Sequence, residues 1–179
     1  ITNETPAIDI TLVATTGVPQ GLKVLTVNTT IPAASNNYHT IQTAINAATP
    51  GEYTVILITS GSYTENININ KEVTLVSIAP QLGRGQSIVD PSSDYAPVTV
   101  VGETIINSAC TCNGIYFRRN ITTQAVVKIG NAWSVGGTKA SAQFVSCGFL
   151  TESVSGINIE YAIQCIENNG STRKLDFYN

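Results

Sequence analysis

Few side chains in this sequence are able to do chemistry, and their spacing decides which reactions are open to it. Four cysteines stand at 110, 112, 147 and 165, with His39 as the single histidine. Cys110 and Cys112 lie two apart on an expected strand, so both point to the same face. Three readings are open for these thiols: lining of a core, a bridge between coils, or part of a metal site. A metal site would need further ligands, and His39 is distant in sequence. The acids Glu65, Glu72, Asp90, Asp94, Glu103, Glu152 and Glu160 are scattered along the chain. Asp90 and Asp94 flank Pro91-Ser92-Ser93 and lack the oxygen-rich spacing of a calcium loop. Glu152 and Glu160 could meet across a turn as the two carboxylates of a glycosidase do, but nothing around them marks such a site. With one histidine and no serine at a nucleophile elbow, Ser-His-Asp chemistry has almost no support.

Other residues suggest recognition rather than reaction. Trp133 is the only tryptophan and sits in the glycine-rich stretch Asn131-Ala-Trp-Ser-Val-Gly-Gly-Thr138. On an exposed loop it would stack on a sugar ring; alternatively it packs over a neighbouring coil. Sequons at Asn3-Glu-Thr, Asn28-Thr-Thr, Asn120-Ile-Thr and Asn169-Gly-Ser would permit glycosylation. Gly83-x-Gly85 has no third glycine at dinucleotide spacing and no helix pattern after it, so it reads as a turn.

Composition narrows the classes further. Charged residues make up 12% of the chain and apolar ones 42%, with a net charge of −3. That balance argues against a nucleic-acid partner. Arg118-Arg119 and Arg173-Lys174 are the only basic doublets and read as solvated strand edges. No apolar run approaches the roughly 18–20 residues of a membrane span, so no membrane insertion is expected. The opening residues carry neither the basic region nor the apolar core of a signal peptide. The chain contains no Met and its last residues read as a strand cut in mid-course. Both features suggest a processed chain or, preferably, a fragment of something longer.

The elements that would position these residues are mostly short strands. Ile41, Ala44, Ile45 and Ala48 fall on one helical face, and Pro50-Gly51 ends that helix, placed at about 39–49. Apolar runs then recur at Thr54–Thr59, Val73–Ile78, Val98–Val101, Ile115–Phe117, Ala125–Ile129, Ala142–Val145, Ala162–Ile166 and Leu175–Phe177. Phe117, Phe149 and Phe177 suggest a weak repeat of uneven length. Asn66, Asn68, Asn70, Asn113, Asn120 and Asn179 sit where corners in the left-handed conformation are expected. Residues 1–35 read as lead-in strands, with runs at Ile8–Ala14 and Leu22–Val27, and 36–179 as the β-helix domain. Coils of this kind bury their inward residues only by stacking, and a helix would cover the exposed end.

Three segments carry a resemblance to a known family. Tyr38-His-Thr-Ile-Gln-Thr-Ala-Ile45, Gly61-Ser-Tyr-Thr-Glu-Asn-Ile67 and Lys71-Glu-Val-Thr-Leu75 together resemble the opening of pectin-lyase-like right-handed β-helix proteins, especially pectin methylesterases. The match is tight over about forty residues and looser to the C-terminus. It implies a fold, because the same opening serves enzymes, surface proteins and viral fibres. For the methylesterases it also implies a sharp catalytic test: two aspartates, as nucleophile and acid/base, with glutamines at the oxyanion. Gln124-Ala-Val-Val-Lys-Ile129 and Phe144-Val-Ser-Cys147-Gly-Phe149 are similar to the first catalytic strands. Ser153-Val154-Ser155 then stands where Gln-Asp-Thr is required, and Tyr161-Ala-Ile-Gln-Cys165 where Asp-Phe-Ile-Phe-Gly is required.

The resulting expectation is an all-β, single-stranded right-handed parallel β-helix with a short N-terminal capping helix. Its role is expected to be structural or attachment, without catalytic residues, metal or cofactor. The expected setting is the virion surface, as fibre, spike or minor capsid protein, or otherwise extracellular. Other structural subunits, in a homotrimer, and surface glycans are the expected partners. The alternatives are a fragment of a pectin esterase or lyase type enzyme, or a cell-surface carbohydrate-binding adhesin.

Overall fold

The computed structural model describes residues 21–78, 98–119, 125–130, 140–151, 161–165 and 173–178. Its elements in chain order are β1 (Leu22–Val27), β2 (Asn37–Tyr38), α1 (Ile41–Ala47), β3 (Tyr53–Ile58), β4 (Gly61–Thr64), β5 (Ile67–Ile69), β6 (Val73–Ser77), β7 (Val98–Val101) and β8 (Thr104–Ile106). There follow β9 (Ala109–Asn113), β10 (Ile115–Arg119), β11 (Ala125–Ile129), β12 (Ala140–Val145), β13 (Gly148–Thr151), β14 (Tyr161–Cys165) and β15 (Arg173–Tyr178). The strand expectations hold to within one or two residues at each end. The run expected at Ile8–Ala14 lies outside the described residues.

The strands form three parallel sheets. The first has seven strands in the order β15-β12-β9-β6-β3-β1-β2; the second runs β13-β10-β7-β4 and the third β14-β11-β8-β5. From β3 onward the chain visits the first, second and third sheets in strict rotation, and each strand pairs with one three strands away. This is a β-helix-like architecture. Strand β1 joins it directly, because Leu22 to Val27 pair in unbroken parallel register with Tyr53 to Ile58.

Alternation of apolar and polar residues turns every second side chain inward. Stacking then aligns those side chains into ladders. Leu25, Ile56, Leu75, Cys112 and Phe144 are successive partners across the first sheet and all are buried. Ile69, Ile106 and Ile129 do the same in the third. In the second sheet Tyr63, Val100 and Phe117 are buried, and Phe149 packs partly buried against them. Phe117, Phe144 and Phe149 meet at centroid distances of 5.9, 5.7 and 5.1 Å, two pairs edge-on and one stacked. Burying each such side chain stabilises the stack by about 1.5–3 kcal/mol.

Two details correct the sequence reading. Phe117 and Phe149 are register partners, but Phe177 pairs with Phe144 in a different sheet, so the three do not form one repeat. The corner asparagines Asn66, Asn68, Asn70 and Asn113 are not left-handed. Gly51, Gly114 and Gly130 take that conformation at φ 82°, 69° and 88°, with Ser146 at 50°. Asparagine serves instead through its side chain: Asn66 Oδ1 accepts from the Glu103 amide at 2.9 Å and Asn107 Nδ2 donates to Asn68 Oδ1 at 3.0 Å.

Helix α1 spans Ile41–Ala47, shorter than the 39–49 expected. Thr40 is the N-cap, its hydroxyl accepting from the Thr43 amide, and Ala48 is already extended at φ −63°, ψ 140°. The residue before Pro50 is biased away from helix, which limits the C-terminal end. Ile41, Ala44 and Ile45 are buried against the stack.

Candidate functional site

The residues that carry the family resemblance come together around α1. Seven residues are too few for a stable isolated helix, so tertiary contacts must hold it. Both oxygens of Glu65 accept from its first turn, from Ile41 N at 2.8 Å and Gln42 N at 2.9 Å. At the other end Lys23 Nζ donates to Ala47 O at 2.7 Å, and Lys71 Nζ donates to Ala48 O at 2.6 Å and to Asn46 O. Charge of each sign therefore meets the helix end that favours it. Gln42 takes the Asn68 amide on Oε1 at 2.6 Å and donates from Nε2 to Asn68 O at 3.3 Å. It thus satisfies the free edge of β5, the end strand of its sheet, as a neighbouring strand would. Tyr63 donates its hydroxyl to Thr59 O at 2.9 Å, closing the corner before β4. Burial, offset in part by the Thr59 hydrogen bond, pushes the Tyr63 phenol above its ordinary range. Each of these side chains is committed to the fold.

A second cluster of polar side chains faces outward on the first sheet. Thr74, Thr111 and Gln143 are register partners across β6, β9 and β12. With Tyr53, Glu72, Ala109 and Ser141 they line a groove of about 270 Å³ at the start of these strands. Tyr53 is 53% exposed and its hydroxyl lies 3.2 Å from Thr74 Oγ1. Thr111 Oγ1 donates to Gln143 Oε1 at 3.2 Å, which turns the Gln143 amide nitrogen away from that contact. Among the described residues the side chains of Glu72 and Ser141 make no hydrogen bond, and Glu72 is the only charged residue lining the groove. The arrangement offers an aromatic face, hydroxyls, one amide and one carboxylate. Groups of these kinds can hydrogen-bond hydroxyls, and Glu72 is the one carboxylate among the described lining residues.

No sequence signal singled out these groove residues. Each polar residue at an outward strand position is unremarkable alone, and only the register across strands distant in sequence assembles them.

The other candidates divide as follows. Trp133, Asn3, Asn120, Asn169, Gln124, Asp90, Asp94, Glu152, Glu160 and Ser153 to Ser155 lie outside the described residues. Tyr161–Cys165 is β14, a strand of the third sheet. Asn28 is half-buried at the end of β1, its Oδ1 accepting from Thr30 N at 2.9 Å and Thr30 Oγ1 at 2.7 Å. Glu103 meets Lys128 at 3.0 Å across the third sheet.

All four cysteines are free thiols; Cys110 and Cys112 are buried, and Cys165 is exposed. Among the described residues no group of three or more His, Cys, Asp or Glu side chains is placed to hold a metal ion. A hydrogen bond with Cys110, then burial, pushes the Cys112 thiol well above its ordinary value. Burial raises Cys147 as well, against backbone hydrogen bonds that pull the other way. Its Sγ contacts Cys112 O at 3.3 Å and Val145 O at 3.4 Å. These are core thiols with little thiolate character at neutral pH.

Fold and site together define an all-β chain with one short helix, three parallel sheets and a polar groove on the outside of the largest. No helix among the described residues is long and apolar enough to cross a membrane. Comparison with protein-family models, with curated proteins and with solved structures yields no match.

Proposed function

We propose that this chain is a non-catalytic structural or attachment module, built on a single right-handed parallel β-helix of the pectin-lyase-like kind. The observation that carries the reading is the use made of the motif residues. Gln42, Tyr63, Glu65 and Lys71 hold the helix, the corner and the sheet edge, so the motif accounts for architecture without any reaction. The parallel pairing of β3 with β6 through an intervening crossover supports right-handed winding, the hand of about 98% of such crossovers.

The proposed setting is the virion surface, as a fibre, spike or minor capsid component among other structural subunits in a homotrimer. Leu22 and Tyr53 are register partners and both stand exposed, with exposed Val24 two residues along β1. A low-charge face of this kind is suited to packing against a neighbouring subunit. Native and denaturing mass spectra of the protein from its source test the reading. A defined assembly of several copies is expected; a chain that is monomeric at high concentration and hydrolyses or cleaves a pectin-like polysaccharide would overturn it.

The groove on the first sheet favours a second reading, a cell-surface carbohydrate-binding adhesin. The two readings share the non-catalytic module and differ in what surrounds it. Source material decides between them: recovery in purified particles supports the first, and recovery with a cell envelope the second.

A further inference from the structure

We infer that Asn28 is an acceptor for an N-linked oligosaccharide, transferred from a lipid pyrophosphate donor onto its Nδ2. The inference rests on the surface setting proposed above, because the donor lipid lies in a membrane that an exported chain has to cross.

Asn28-Thr29-Thr30 has the acceptor spacing and no proline in the middle. The structure adds how that sequence is presented. Asn28 directly follows β1, and residues 29–36 after it are all exposed. The backbone N–H of Thr30 can only donate, so the Asn28 atom that meets it at 2.9 Å is the amide oxygen. Thr30 Oγ1 donates to the same Oδ1 at 2.7 Å. Two bonds on one oxygen fix the plane of the amide and turn Nδ2 away from Thr30. Nδ2 itself makes no hydrogen bond among the described residues. The loop is fastened from its far side. Asn37 Nδ2 donates to Ile31 O at 3.2 Å and Pro32 O at 3.1 Å, and His39 Nε2 meets Ile31 O at 2.8 Å. The acceptor thus stands at the surface in a held conformation.

In the transfer, Nδ2 forms a bond to the anomeric carbon of the donor sugar while the bond from that carbon to the pyrophosphate oxygen breaks. The lipid pyrophosphate leaves with the bonding electrons, and the transferase takes the proton from Nδ2. Thr30 is the positioning residue, acting on the amide through Oδ1. The product has room. A glycan here stands near Ile31, which is 54% exposed, and beside β2, the edge strand of the first sheet. Bulk at an edge opposes pairing with a foreign strand. Asn28 lies about 20 Å further along the strand than Leu22, so the face proposed for subunit packing stays open.

The test is peptide mapping of the protein from its source, before and after treatment with an amidase that removes N-linked glycans. Cleavage after Lys23 and Lys71 gives a peptide whose only sequon is that of Asn28. The expected result is a glycopeptide that the amidase converts to a sugar-free peptide with aspartate at position 28. Among variants made in a secreting cell, Asn28→Gln and Thr30→Ala should lose the glycan. Thr30→Ser and Thr29→Ala should keep it, and circular dichroism should show the same fold in all four. An unmodified Asn28 in the source protein overturns the inference. So does a sugar on this peptide that resists the amidase, which would place it on a threonine, or a glycan that survives Thr30→Ala. Assembly is read separately: an assembled chain without the glycan overturns this inference alone, and a glycosylated monomer overturns only the assembly.

Discussion

Glu65 lies 24 residues after Ile41, yet its carboxylate accepts the Ile41 amide at 2.8 Å and the next amide, Gln42, at 2.9 Å. One side chain thus serves two of the amides that a helix leaves unpaired in its first turn. Because α1 covers the end of the stack, this contact ties the closing of the core to the corner between β4 and β5.

Glu65→Ala should destabilise the chain by about 2–3 kcal/mol, since hydrogen bonds to a charged group contribute about 1.5–3 kcal/mol. Glu65→Gln keeps an acceptor but loses the charge and should cost less. Chemical denaturation followed by circular dichroism measures both. Equal, negligible losses would mean that α1 docks through its apolar face alone.

Gly102 and Gly148 should respond differently to alanine. At Gly102 the φ is 153° and an added Cβ would stand 2.3 Å from the Glu65 carbonyl oxygen, a backbone atom that cannot swing away. Gly102→Ala should cost about 2–4 kcal/mol. At Gly148 the added Cβ would meet the Tyr116 ring at 2.2 Å. Tyr116 is its register partner across the second sheet. Gly148→Ala should cost about 1–3 kcal/mol, and Tyr116→Ala should rescue much of that loss. A double-mutant cycle without coupling would refute the contact.

Alkali should weaken the fold through its buried acids. For Cys112 and Cys147 the folded-state value lies above the ordinary 9.0, so above that pH the unfolded chain releases protons that the folded chain retains. Stability is then fully present below about pH 9 and falls as pH rises through the interval up to the folded values. Tyr63 adds the same trend above its ordinary 10.0. Denaturation midpoints from pH 7 to 10.5 should decline, and replacing Cys112 with Val should flatten the slope. Thiol labelling of the native chain should reach Cys165 well before Cys110 or Cys112.

Thr54 and Thr104 point inward, 0% and 1% exposed, and their hydroxyls have no hydrogen-bond partner. Valine has nearly the same shape and no polar atom to satisfy. Thr54→Val and Thr104→Val should each stabilise the chain by about 1 kcal/mol, read by the same denaturation experiment. A loss on either change would mean that the hydroxyl is satisfied in solution.

Much of the architecture was legible from local pattern. Alternation placed the strands, helical spacing placed α1, and Pro50 set its limit, because each depends on neighbours within a few residues. Other features were not. Phe177 stands at an interval that suggests a repeat with Phe149, yet its partner is Phe144. Interval alone cannot reveal which of three sheets a strand joins, since the connecting stretches differ in length.

The sequence by itself determined that the chain is all-β, that it turns frequently, and that its apolar residues alternate between a core and a surface. Those properties follow from side-chain volume, polarity and period, all read along the chain. Tertiary structure alone decided what the polar residues do. Gln42, Glu65 and Lys71 have the chemistry of a site and are spent on a helix and a sheet edge. Thr74, Thr111 and Gln143 look ordinary and together line a groove. Hydrogen bonds and grooves depend on distances across coils, and the register that sets those distances exists only once the coils have stacked.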